Sequence, residues 1–481
     1  MGFKLVMLWT DLVLWLLMAG LGLYVWLARR SAPLRGKWKH VFRDAASTCS
    51  AVVLGTFLLV ALADSLHFRR ALPATTPQEQ QAYDPRVESL LDVLMARQIA
   101  MREPSYSQPL AYAGFVMESI DNQGRPERGF PRLPHGGAHL KDPASEWGAD
   151  VLQRGVGGAA LGAVAALLVA AVGVAWGARR QRLPFATMAG LLWRDQTELP
   201  WRAAAITLLL IAVLAGACAG WSGYYHVFGT DRTGNDVLYQ SVKSVRTAFV
   251  IGSLATVATL PFAIGLGVAA GYFKGWVDEV IQYLYTTLSS VPNVLLIAAC
   301  VLMVQVFIDK NPQLFPTGAE RSDIRILLLC VILGVTGWAS LARLLRAETL
   351  KLRELDFVQA ATAFGVGPLR IMARHILPNV MHLVLITTVL EFSSLILYEA
   401  VLSYVGVGVE PSMNSFGGMI NLARDELSRE PAVWWSVSAA FSFMVTLVLA
   451  ANLFADGVRE AFDPRGRAFR ARLGTRNRAV V

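Results

Sequence analysis

Charge is scarce in this chain: Asp, Glu, Lys and Arg make up 16% of 481 residues, against 54% apolar residues. That excludes an ordinary soluble domain with a solvated face on each element. Cysteine is scarcer still. The four present, Cys49, Cys218, Cys300 and Cys330, fall inside apolar blocks without metal-ligand spacing, so packing is their expected role. No GxxxxGK[ST] motif occurs; the single Gly-Lys pair, Gly36-Lys37, runs into Trp38, which excludes ATP binding through a P-loop. HExxH, a GxSxG elbow and Cys/His clusters are also missing, so no catalytic residue and no metal site are expected.

What fills the chain instead is apolar sequence in blocks of about 20 residues, the length at which a helix crosses about 30 Å of hydrocarbon. Lipid offers the backbone no partner, so the expected fold class is an all-α integral membrane protein. Nine spans are predicted, at 8–27, 46–62, 156–176, 203–221, 248–270, 280–307, 324–341, 380–405 and 434–454. The first three precede a more compact set of six. The first block reads as a retained span: only Lys4 precedes it, no small-residue cleavage site follows, and Arg29 and Arg30 close it. Lys and Arg cluster after spans one, three and seven, and seven arginines run from Arg459 to Arg478. The positive-inside rule puts all four clusters in the cytoplasm only with the N-terminus outside and the C-terminus inside. The net charge of +9 is then mostly topology; lipid is an expected partner and nucleic acid is not.

Between spans two and three, residues 63–154 form a polar, extracytoplasmic segment with near-balanced charge. Within it, the spacing of Val87, Leu90, Leu91, Leu94 and Met95 predicts an amphipathic helix starting at Asp84, and NQGRPERGFPRLPHGGAH reads as loop. An internal echo ends the segment: HLKDPASEWGADVLQRGV precedes span three much as HVFGTDRTGNDVLYQSV precedes span five. A decayed duplication and coincidence both fit.

Residues 356–378, DFVQAATAFGVGPLRIMARHILP, lie between spans seven and eight, on the cytoplasmic face. Asp356 suits a helix cap, with Gln359 as its capping-box partner. Ala360, Ala361 and Ala363 present a small helix face. Gly365 and Gly367 permit a turn, and Pro368 suits the first position of a second helix with Leu369, Ile371, Met372 and Ile376 as contacts. The segment reads as two short helices bent at Gly365, and local chemistry alone describes a structured connector.

Gln359-Ala360-Ala361, then Gly365, then Leu377-Pro378 resembles the EAA loop of bacterial ABC-importer permeases. There the loop docks in a cleft of the ATPase subunit and transmits closure to the membrane helices. Gln359 replaces the usual Glu, and His375 an aliphatic residue. FGTDRTGNDVLYQSVKSVRTAFVIGSLAT, GVAAGYFKGWVDEVIQYLYTTLSSVPNVLL, GWASLARLLRAETLKLRELDFVQAA and EAVLSYVGVGVEPSMNSFGGMI follow one another as do blocks of the dipeptide, oligopeptide and nickel permease family, in its C-type subunit. The resemblance covers about residues 203–465. It implies a type I six-helix permease core preceded by three extra transmembrane helices and an outer loop region. The domains expected are two extra helices at 1–64, the outer region at 65–155, a third extra helix and linker at 156–202, the core at 203–465 and a basic tail at 466–481. The implied partners are a homologous second permease, two ABC ATPase subunits carrying ATP and Mg, and a periplasmic substrate-binding protein. The implied cargo is di- or oligopeptides carried through the bacterial inner membrane, with nickel chelates or sugars as alternatives.

In GTDRTGND, Gly229 and Gly234 permit turns, and Asp231 and Asp236 can cap the next helix. In GYFKGWVD, Gly271 and Gly275 serve a tight return and Asp278 a cap on span six. Glu391 and Glu399 need explanation, because a carboxylate in the membrane is costly unless paired or wet. Eight residues apart, they lie about 80° apart on one helix and about 12 Å along it, so both are pathway-lining candidates. Ser290 and Pro292 join them: Ser289, Ser290, Pro292 and Asn293 break span six, where a proline-freed carbonyl lines a wet cavity or a kink. Two rival functions stay open on residues alone. One is a proton-coupled transporter, independent of ATPases and dependent on Glu391; the other is a scaffold or receptor without flux.

Overall fold

The computed structural model describes residues 3–72, 83–122, 125–314, 317–410 and 413–462. The basic tail at 466–481 lies outside them. In chain order the helices are α1 (Trp9–Arg30), α2 (Ala32–Val41), α3 (Ala45–Asp64), α4 (Leu90–Leu94), α5 (Ala96–Ala100), α6 (Pro143–Gln181), α7 (Phe185–Trp193), α8 (Trp201–Ser222) and α9 (Val237–Phe273). Then come α10 (Gly275–Ser290), α11 (Asn293–Lys310), α12 (Gly318–Gly337), α13 (Ala339–Arg353), α14 (Asp356–Ala363), α15 (Pro368–Ile371), α16 (Leu377–Tyr404), α17 (Phe416–Ala423) and α18 (Trp435–Phe462). Among the described residues, eight helices are long and apolar enough to cross a membrane, or up to nine if α12 and α13, bent by 41°, form one span. This is a multi-pass membrane protein.

The expected helical membrane fold is what the chain adopts, and four local expectations need correction. Small sheets accompany the helices: β1 (Phe3–Val6), β2 (His67–Arg70) and β3 (Glu88–Ser89) form an antiparallel sheet, and β4 (Glu118–Asn122) pairs with β5 (Arg125–Gly129) where loop was expected. The amphipathic helix expected from Asp84 starts at Leu90, because Glu88 and Ser89 pair with β2. Ser89 and Asp92 then form a reciprocal capping box that fixes the helix start. Span six is broken outright and not merely kinked. Pro292 has no N–H and forces its neighbour away from helix, so Val291 is extended (φ −91°, ψ 133°) between α10 and α11. Span seven bends at Trp338 and continues as the charged α13.

The chain divides into two compact units. The first holds Met1–Met7, Phe42–Ala248 and Pro411–Ala450. Here α6 and α8 cross through glycines: a Cβ on Gly158 would stand 2.3 Å from the Gly216 carbonyl oxygen, and one on Gly162 2.0 Å from that of Ala212. Without a hydrophobic drive between helices in lipid, such backbone contact is what holds them. Gly162→Leu should therefore force the pair apart and lower stability by about 1–3 kcal/mol, checked by thermal unfolding in detergent. In the same unit, Lys243 of α9 binds Asp92 of α4 and lies 3.6 Å from Asp64 at the end of α3.

The second unit holds Leu8–Val41, Phe249–Glu410 and Ala451–Val481. In it α1 is capped by another helix: the Thr10 backbone N–H donates to Asp323 of α12 at 3.0 Å, and the Thr10 hydroxyl to the same carboxylate. Its main core joins Ala263 and Ala270 of α9, Tyr285 of α10, Leu341, Ala342 and Leu345 of α13, Val358 of α14, Ile371 of α15 and Val380 of α16. A smaller core packs Val41 and Trp38 of α2 against Val458 and Phe462 of α18.

Candidate functional site: a bent segment rooted in the second unit

Asp356–Ala363 forms α14, but its cap differs from expectation. Leu355, in extended geometry, is the N-cap, and no side chain caps it. Asp356 therefore occupies the first helical position, where a carboxylate still favours the N-terminal dipole. Gln359 reaches back differently from a capping-box partner: its amide donates to the Glu354 carbonyl at 3.1 Å. A glutamate could not make that bond while ionised, since a carboxylate only accepts.

The other end of α14 follows the sequence closely. Gly365 has φ +74°, its N–H donates to Thr362 O at 3.0 Å, and the Val366 N–H donates to Ala361 O at 3.1 Å. This paired pattern is a Schellman motif, and glycine adopts its left-handed residue without steric penalty. Pro368 then opens α15 at its first turn, as expected. The second helix is not short, however: Pro368 to Tyr404 forms one run of 37 residues that includes span eight. Leu377-Pro378 lies inside this run. A π-helical turn, Met372–Ile376, precedes it and absorbs the proline that cannot donate in an α-helical ladder.

Burial divides the segment into a root and an exposed face. Val358 is 1% exposed, and Ile371 and Ile376 0%. Asp356, Gln359, Ala360, Gly365 and Pro378 are exposed, with Ala361 and Leu377 between. Phe364 is 87% exposed and Leu369 77%, a large apolar contact area left open beside exposed Arg370 and Arg374. Leu369 and Met372 were expected among the inward contacts; Leu369 points outward instead.

The buried root shares its core with α10 and α13; an ion pair joins those two helices, and a hydrogen bond ties α13 to α9. Asp278 accepts from Arg346 Nε and a terminal nitrogen, both at 2.6 Å. Asp278 thus does not cap span six; Lys274 holds the N-cap position without a side-chain bond. The guanidinium holds the Asp278 carboxyl below its ordinary value of 3.8. Stability from this pair is present above that value and lost as pH falls through the lowered one. Asp278→Asn should cost about 1–2 kcal/mol, read as a drop in unfolding midpoint at pH 7 that shrinks toward pH 3. Arg353 donates to the Tyr272 carbonyl at 2.6 Å, the second brace.

The break in span six and the bend in span seven face one cavity of about 300 Å³, lined by Leu288, Pro292, Asn293, Gly337, Ser340 and Arg343 among others. Pro292 thus borders a cleft, whereas Ser290 is exposed and donates to its own helix at Thr287 O, 2.7 Å away. On α16 the two acids differ. Glu399 is 2% exposed and accepts from Ser403 Oγ at 2.6 Å; that oxygen also accepts from the Val409 N–H at 3.3 Å, so Glu399 braces the turn ending the helix. Glu391 is half-buried, and its Oε2 is buried without a hydrogen-bond partner.

In the first unit, GTDRTGND makes the expected turns and helix cap and also forms a socket for His226 that was not expected. Gly229 and Gly234 have positive φ, Asp231 accepts from the Thr233 and Asn235 backbones, and Asp236 caps α9 by accepting from Tyr239 N–H at 2.9 Å. Asp236 also holds His226 Nδ1 at 2.8 Å, and Glu103 of the outer segment lies 3.5 Å from its Nε2. The echo carried a signal of the pairing: His139 meets Asp150 at 2.8 Å, the same His to Asp pairing of the motif as His226 to Asp236. Asp150 lies within α6 and Asp236 ahead of α9, so the surroundings differ.

Comparison with known proteins agrees with the ordered blocks. Residues 263–468 match the family described as binding-protein-dependent transport system inner membrane component. The oligopeptide transport system permease protein OppC of Mycobacterium tuberculosis is 31% identical over 248 residues, 52% of this chain and 79% of that protein. OppC of Escherichia coli K12 is 30% identical over 256 residues, 53% of this chain and 77% of its own. The dipeptide transport system permease protein DppC of Alkalihalophilus pseudofirmus is 31% identical over 240 residues, 50% and 72%. With most of each such relative covered, and with the EAA-like segment and its neighbouring blocks inside the matched region, the chain belongs to the ABC-importer permeases of the dipeptide, oligopeptide and nickel transport family, as a C-type subunit.

Proposed function

We propose that this permease moves di- or oligopeptides inward across the bacterial inner membrane, with its N-terminus outside and its C-terminus in the cytoplasm. It works with a homologous second permease, two ATPase subunits that hold ATP and Mg, and a soluble binding protein on the outer side. The chain itself binds no nucleotide and carries no catalytic group. One observation supports this most: α14 presents exposed Phe364 and Leu369 beside it while Val358, Ile371 and Ile376 root the segment in the core shared with α10 and α13.

Those are the two helices that border the cleft at Pro292 and Gly337. Closure of the ATPases on ATP pushes α14, and the rigid root carries the push to the break and the bend, where helices re-orient cheaply. Glu391 lines the pathway as a polar group that cargo or water can satisfy; Glu399 holds the end of its helix. Co-purification tests the assembly: the tagged chain should bring down two P-loop subunits, and Phe364→Asp should weaken their capture at least tenfold. Capture unchanged by Phe364→Asp would remove the docking role of this face.

A further inference from the structure

The first unit contains a cavity of about 1040 Å³ that the coupling mechanism does not use. Its walls come from the outer segment and from the turn before α18, and its rings are those of Tyr106, Tyr112, Phe115, Phe130 and Trp147. Resting on the peptide function proposed above, we propose that this cavity binds the peptide itself, in extended form, with an apolar side chain against the rings and the free carboxylate at Arg429.

The rings are fixed by bonds at their polar edges. Trp147 Nε1 donates to the Leu110 carbonyl at 2.8 Å, and the Tyr106 hydroxyl donates to Glu426 at 2.9 Å. Rigid aromatic faces of this kind give contact area to many side chains without selecting one. Open apolar surface remains: Phe130 is 51% exposed and Met117, also in the lining, 55%. Arg429 stands over the Tyr106 ring at 5.4 Å and lines the same cavity, offering a cation to a terminal carboxylate. Glu430 lines it too, and the neighbouring Glu426, 4% exposed, keeps a buried oxygen without a hydrogen-bond partner. An acyl chain would cover the rings and leave Glu430 and Arg429 unmatched. A peptide brings N–H donors for the acids, a carboxylate for the cation and side chains for the rings.

The test uses the full chain reconstituted with its partner subunits, and a pentapeptide with p-benzoylphenylalanine at its centre. Irradiation should join the peptide to residues 106–117, Phe130, Trp147 or 429–433, located by mass spectrometry. Amidating its C-terminus or introducing Arg429→Gln should reduce the yield about three- to tenfold. Trp147→Ala could disturb folding, so Met117→Glu, at an exposed position, is the second variant and should raise the KM for uptake by a similar factor. If the peptide is taken up but labels other residues, and Met117→Glu leaves KM unchanged, the cavity is not the site and the transport function stands. Photoreactive substitution at Met117 that captures the binding protein or lipid in place of peptide also overturns the proposal. A peptide that is neither taken up nor cross-linked defeats the peptide function itself.

Discussion

Gly365→Pro should abolish ATP-driven uptake, a loss of at least tenfold, while the chain still inserts and stays folded. The backbone at Gly365 has φ +74°, and proline is locked near −65°. Proline would also remove the N–H that donates to Thr362. The Schellman turn would open and α14 would lose its fixed angle to α15, so a push on the exposed face would dissipate before reaching α13. Nothing lies within 4 Å of a Cβ built at Gly365, so backbone conformation alone decides the outcome. That separates three variants: Gly365→Asn, which tolerates left-handed geometry, should retain most uptake; Gly365→Ala should lose about 1 kcal/mol of local stability; proline should fail. Uptake and ATPase stimulation, measured on the same preparation, check the order.

Glu103→Ala should release the segment that carries it, with a cost of about 2–4 kcal/mol, because it leaves the His135 and Gly136 N–H groups without their acceptor and removes one of the two carboxylates beside the buried His226 ring. Side chains of Glu103, His226 and Asp236 are 0, 1 and 2% exposed. Glu103 also accepts from the His135 and Gly136 backbones at 3.1 and 2.8 Å, so one carboxylate gathers the outer segment and the loop before α9. Burial works against a charged His226, but the hydrogen bond to Asp236 and the nearby carboxylates of Asp236 and Glu103 outweigh it and raise the imidazole from 6.5 to about 9. A raised folded value means the stabilisation is complete below pH 6.5 and disappears as pH rises through about 9. Its size is on the order of 3 kcal/mol. Limited proteolysis should find the outer segment resistant at pH 7 and cleaved above pH 9. In Glu103→Ala it should be cleaved already at pH 7; equal resistance across that range would contradict the clamp.

The spans were legible because about 20 apolar residues in a block permit little but a helix in lipid. Pro292 and Gly365 were legible too, since proline and glycine act through their own backbones. Asp356 misled for a related reason: capping depends on which residue turns extended, and Leu355 did. The small sheet could not be read, because Phe3–Val6 and His67–Arg70 are short strands from distant parts of the chain and carry no periodicity. Asp278–Arg346 and Glu103–His226 were illegible likewise: their partners sit in separate sequence blocks, and only folding brings them close. The cavity by Trp147 combines residues from the outer segment with residues before α18, and neither stretch alone has a motif.

Peptide uptake into proteoliposomes holding the chain with both ATPase subunits, the second permease and the binding protein tests the central claim most directly. Uptake should require ATP, stop when either the nucleotide or the ATPases are omitted, and fall at least tenfold with Gly365→Pro. Uptake that continues without nucleotide, driven by a proton gradient and lost on Glu391→Gln, would contradict the account.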